Sequence, residues 1–86
     1  MVFTTQGKIM ATRSVTLTSA PQLITAKAAY MESQGGDFHF VFSTTAPASV
    51  TANHKDRKLY VDGSLGHLYA WKSSTSEVLL IVSEAI

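Results

Sequence analysis

Apolar and polar residues alternate with a period of two along most of the chain, the pattern of strands with one face in a core and one in water. In Ser14-Val15-Thr16-Leu17-Thr18, Val15 and Leu17 share a face and hydroxyls occupy the other. Phe38-His39-Phe40-Val41-Phe42 places three phenylalanines on one side, bringing much of the core's aromatic area. Lys58-Leu59-Tyr60-Val61-Asp62 directs Leu59 and Val61 one way and Lys58, Tyr60 and Asp62 the other, and Leu68-Tyr69-Ala70-Trp71 continues the alternation. The last segment, Glu77-Val78-Leu79-Leu80-Ile81-Val82, is apolar on both faces, so something beyond its own core is expected to cover the second face.

Turn chemistry separates these segments. Gln34-Gly35-Gly36-Asp37 suits a tight hairpin into the phenylalanine strand, because glycine reaches positive φ without steric cost. Asp62-Gly63-Ser64-Leu65-Gly66 and Ser73-Ser74-Thr75-Ser76 predict two further turns. The expected fold is therefore all-β, a compact antiparallel β-sandwich or a jelly-roll-like barrel. Residues 21–34 fit a short helix as well as two short strands. Leu23, Ala26, Ala28, Ala29, Met31 and Glu32 are good helix formers with Ser19 as N-cap, while Thr25, Tyr30 and the glycine pair favour strands.

Length and composition narrow the picture. At 86 residues there is room for one domain, which buries only about 60% of its unfolded surface. The chain has no cysteine, which removes disulfides and zinc-thiolate clusters as staples, so the core must come from packing, with shared contacts between subunits as one source. Ten serines and ten threonines supply the polar surface in place of charge. A net charge of +1 gives no electrostatic ground for a nucleic-acid or membrane partner. The first residues lack the basic and apolar regions of a secretory signal, and the longest strongly apolar run, Val78 to Val82, is far too short to span a bilayer.

Candidate chemistry is sparse. His39, His54 and His67 lack a spacing that would hold two metal ligands together, and no nucleophile elbow or phosphate-binding loop is present. No catalytic residue, metal or cofactor is expected. Asn53-His54-Lys55-Asp56-Arg57-Lys58 reads as a solvated loop rather than a phosphate contact. Tyr60, Tyr69 and Trp71 would share one face if their strands were neighbours, either as rings that cover the sandwich's second layer or as an aromatic platform suited to a protein interface or to stacking on sugar rings.

Several strings taken in order resemble small phage virion proteins of the capsid decoration or cement type. They are Ser14-Val15-Thr16-Leu17-Thr18-Ser19, Ala46-Pro47, Leu59-Tyr60-Val61-Asp62-Gly63, Leu68-Tyr69-Ala70-Trp71 and the valine-rich close at Ser83-Glu84. The resemblance spans Ser14 to Glu84, and its motifs are strand-like, none of them catalytic. It implies a β-sandwich or jelly-roll module with a hairpin over Leu23 to Ser33. It also implies a non-enzymatic role in the virion, as a homotrimer stabilising the head against the major capsid protein. The alternative it allows is a tail or fibre module that binds a host surface glycan through Trp71 and Tyr69. Residues 1–12 lie outside the similarity and read as an N-terminal arm before a single domain at 13–86. Candidate contact residues are Val2, Phe3 and Ile9 in that arm, with Tyr60, Tyr69, Trp71, Leu79 and Ile81 on the strands.

Overall fold

The structure, a computed structural model, describes residues 10–47 and 53–86. Val2, Phe3 and Ile9 lie outside the described residues. Eight strands follow one another: β1 (Met10–Thr16), β2 (Gln22–Thr25), β3 (Ala28–Gln34), β4 (Phe38–Phe42), β5 (His54–Asp56), β6 (Lys58–Asp62), β7 (Leu68–Trp71) and β8 (Leu79–Ala85). They form two four-stranded antiparallel sheets, sheet I in the order β1-β8-β3-β6 and sheet II in the order β2-β7-β4-β5. The pairings nest from the outside inward: β1 with β8, β2 with β7, β3 with β6 and β4 with β5. An eight-stranded double sheet wrapped in this way is a jelly roll.

The expected alternation decides which residues meet between the sheets. Phe38 and Phe40 point inward from β4, Ala29 and Met31 from β3, Leu68 and Ala70 from β7, and Leu80 and Val82 from β8, all buried. Leu17, Ile24 and Val78 join them just beyond or within strand ends, and Val15, Phe42, Leu59 and Val61 pack against the rim. Each of the larger aliphatic and aromatic side chains, fully buried, contributes about 1.5–3 kcal/mol, which is how the domain holds without a staple.

Residues 21–34 contain no helix. β3 is paired on both sides, with β8 and with β6, and this pairing buries Ala29 and Met31 in alternation, overriding the local helix propensity. The hairpin expected over Leu23 to Ser33 is also absent, because β2 belongs to sheet II and β3 to sheet I. Gln34 to Asp37 likewise makes no hairpin: β3 and β4 lie in opposite sheets, and the turn arches across the core. Gly35 is needed there for a second reason. With φ at 97°, any Cβ would strike the Glu77 carbonyl oxygen just before β8. Met10, Ala11 and Thr12 are strand residues paired with Ala85, Glu84 and Ser83, so sheet I begins inside the stretch read as an arm. His54–Asp56, read as loop, forms the short β5 opposite Phe38–Phe40.

Polar contacts tie the sheets together at two places. On β1, Arg13 Nη1 donates to Glu84 Oε1 at 3.0 Å and Nη2 to the Ile24 carbonyl at 2.7 Å. Thr25 Oγ1, from the buried bulge of β2, donates to the other oxygen of Glu84. Elsewhere, Arg57 marks the corner where the chain passes from β5 in sheet II to β6 in sheet I. Its carbonyl accepts from Ser33 N at 2.8 Å and its Nε donates to Asp37 Oδ1 at 2.7 Å.

Candidate interaction surfaces

The three aromatic residues expected to form one platform are divided between the two outer faces. Tyr60 sits on β6, an edge strand of sheet I, and is 64% exposed. Tyr69 and Trp71 sit on β7, an inner strand of sheet II, opposite Leu68 and Ala70 as the alternation requires, but only 9% and 4% exposed. Leu23 and Val41 flank Tyr69 on β2 and β4, and His39 lies beside Trp71. The His39 imidazole stacks on the Trp71 indole, with centroids 5.8 Å apart and planes 15° from parallel.

His39 is fixed from both sides. Its Nδ1 lies 2.8 Å from Asn53 Oδ1 and its Nε2 2.8 Å from Ser73 Oγ. A carbonyl oxygen only accepts, so Nδ1 carries the proton and, in the neutral ring, Nε2 accepts from the Ser73 hydroxyl. The imidazole is thereby a structural plate over Trp71. Tyr69 and Trp71, expected as contact residues and as a sugar-stacking platform, thus lie in the covered layer of sheet II, and neither ring presents an open face of the size stacking needs.

Sheet I keeps its outer face accessible. Tyr30 and Tyr60 stand directly opposite each other on β3 and β6, and Ser83 and Thr12 extend the same row across β8 and β1. Thr12 Oγ1 and Ser83 Oγ are hydrogen-bonded at 2.8 Å. In the next row Ile81 lies between Ser14 and Glu32, and beyond it Leu79 lies between Thr16 and Gln34. Leu79 and Ile81 are half-buried while Leu80 and Val82 behind them are fully buried, so β8 is apolar on both faces as read. Desolvation, and then the Glu32 carboxylate beside it, push the Tyr30 phenol above its ordinary range. Tyr30 was missed as a surface residue, although the strand reading of 28–34 places it outward between Ala29 and Met31.

The other features stand apart. His54 packs against Phe40 at the β5 edge and His67 is exposed on the loop before β7. Among the described residues, no group of three His, Cys, Asp or Glu side chains is arranged to hold a metal. In the 53–58 segment Arg57 pairs with Asp37 and Lys58 reaches Glu32 at 4.0 Å, which accounts for two of its cations within the fold. At the mouth of the sandwich, Phe42, Leu59, Val61 and the exposed Leu65 line an open cleft of about 410 Å³ that no pattern along the chain anticipates. No helix among the described residues is long and apolar enough to cross a membrane. In comparisons with known proteins, no family model, no curated protein and no solved structure matches this chain.

Proposed function

We propose that this protein is a non-enzymatic structural subunit of a phage particle, a decoration or cement protein that binds copies of itself, as a homotrimer, and the major capsid protein. The observation that carries the reading is β8. An inner strand of sheet I spends two apolar side chains, Leu79 and Ile81, on an outer face where Tyr30 and Tyr60 also stand in water. A rigid sheet offering aromatic and aliphatic groups among hydroxyls suits a repeated protein contact, since tyrosine supplies large contact area at low entropic cost. Repetition over a symmetric shell turns modest contacts into a firm attachment. The strand-like resemblance to virion proteins and the jelly-roll wrapping agree with this role, while fold by itself assigns no function.

Mass spectrometry of purified particles tests the location: the protein should be a stoichiometric component, and its absence from particles sinks the proposal. Light scattering of the isolated chain should give a mass that is the trimer's or a multiple of it. Tyr60→Ser should weaken that trimer while leaving the folded domain intact.

A further inference from the structure

Each sheet of a double-sheet fold has two edges, and three of the four here are blunted. β5 is three residues long and reads His-Lys-Asp, all exposed. β6 is five residues long and carries Lys58 and Asp62 at its ends. β2 is four residues long, and its register breaks between Leu23 and Thr25. Short strands, charged ends and bulges are the usual devices against edge-to-edge pairing.

β1 is different. It is seven residues long and pairs with β8 in unbroken register from Met10↔Ala85 to Thr16↔Leu79, and no strand among the described residues occupies its other side. Its one charge, Arg13, faces sheet II but stays exposed and is paired within the chain with Glu84 and the Ile24 carbonyl, so it is not the unpaired inward charge that guards an edge. Leu17 N donates to Val78 O at 3.0 Å, continuing that register, so the odd-numbered residues of β1 direct their backbone groups at β8. Thr12, Ser14 and Thr16 therefore direct their N–H and C=O groups at the open edge, and their side chains at the outer face of sheet I.

We propose that β1 is a strand-addition site for a second copy of this chain, the two β1 strands running antiparallel about a twofold axis at Ser14. In that register Ser14 faces Ser14 of the second copy, and Thr12 faces Thr16 of the second copy on either side. Hydroxyl pairs of this kind stabilise antiparallel strands, and the same chemistry already joins Thr12 to Ser83 within the chain. The competing axis at Arg13 would set two arginines directly opposite, which is unfavourable. The two copies would share one eight-stranded sheet. This contact is separate from the threefold one proposed above: it uses the β1 edge, whereas Tyr60 lies on the opposite edge strand of sheet I.

The absence of cysteine makes single-cysteine variants clean reporters. A hydrogen-bonded antiparallel pair holds its Cα atoms about 5.5 Å apart, within the span of a disulfide. Under mild oxidation Ser14→Cys should form a linked dimer. Thr12→Cys and Thr16→Cys should each stay unlinked alone and cross-link when mixed. In sedimentation, the double variant T12K/T16K should lose the twofold contact by facing lysine with lysine, and T12K/T16E should regain it. Tyr60→Ser should leave the Ser14→Cys cross-link unchanged, so loss of the trimer and loss of the dimer read separately. An unlinked Ser14→Cys protein, self-linking of Thr12→Cys, or an undiminished association of T12K/T16K would each overturn the proposal.

Discussion

The two outer faces of the sandwich carry similar aromatic residues and treat them in opposite ways. On sheet II, Tyr69 and Trp71 are nearly covered; on sheet I, Tyr30 and Tyr60 are 40% and 64% exposed. Position in the sheet accounts for the difference at its extremes. β7 has a strand on each side, so its outward rings lie between Leu23 and Val41 and beneath a hydrogen-bonded histidine. β6 is an edge strand with a neighbour on one side alone. Position alone is not enough, because Tyr30 is 40% exposed on β3 with a strand on each side; a ring on an inner strand is covered where flanking side chains reach over it, as Leu23, Val41 and His39 do on β7.

The sharpest way to break this comparison is to truncate one ring on each face. Trp71→Ala should cost about 3–5 kcal/mol as a buried aromatic deletion, whereas Tyr60→Ala should fall within about 0.5 kcal/mol, as exposed positions do. Urea unfolding of the two variants measures both, and equal midpoints would erase the distinction. The tie that holds the two faces on one body comes next. Glu84→Ala leaves the buried Thr25 hydroxyl without its acceptor and removes the exposed Arg13 pair, an expected loss of about 1–3 kcal/mol in the same assay, most of it from Thr25.

A smaller effect separates the two things that hold the plate over Trp71. His39→Phe keeps an aromatic ring on the indole but removes the bonds to Asn53 and Ser73, and should cost about 1 kcal/mol per lost hydrogen bond at most. A cost as large as that of Trp71→Ala would show that the bonds, rather than the stack, hold this face. The smallest effect is on the open face. The Tyr30 pKa is raised on folding, so any stability linked to it is present below the ordinary tyrosine range and is lost as pH rises through the higher folded value. Ultraviolet titration of the folded protein should show a tyrosine ionising late, and Glu32→Gln should bring it earlier.

Much of this was legible in the chain. The faces of β4, β6 and β7 follow from alternation alone: Phe38, Phe40, Leu59, Val61, Leu68 and Ala70 all point where the period of two puts them. The two-sided character of β8 was legible for the same reason. Strand partnership was not. A glycine at positive φ serves a hairpin and an arch between sheets equally well, so Gly35 marked a turn without saying which strands it joined. For the same reason alternation placed Tyr69 and Trp71 opposite the core but could not place β2 and β4 beside them. β5 was invisible because three polar residues carry no period. Tyr30 was obscured because Ala28, Ala29 and Met31 are helix formers when read without their partners.

The nesting of the pairs governs when the fold can form. Among the described strands, β4 and β5 are the only sequential ones that pair, and β1 must wait for β8, more than sixty positions later in the chain. Until residues 79–85 arrive, sheet I has no connection between β1 and β3, since β8 lies between them. Loop closure must then come before most of the favourable contacts, which places the protein among slow folders, in the millisecond-to-second class. A ribosome-bound chain lacking its last strand would hold β1 and β3 apart as two open edges, so this jelly roll closes on its final seven-residue strand or not at all.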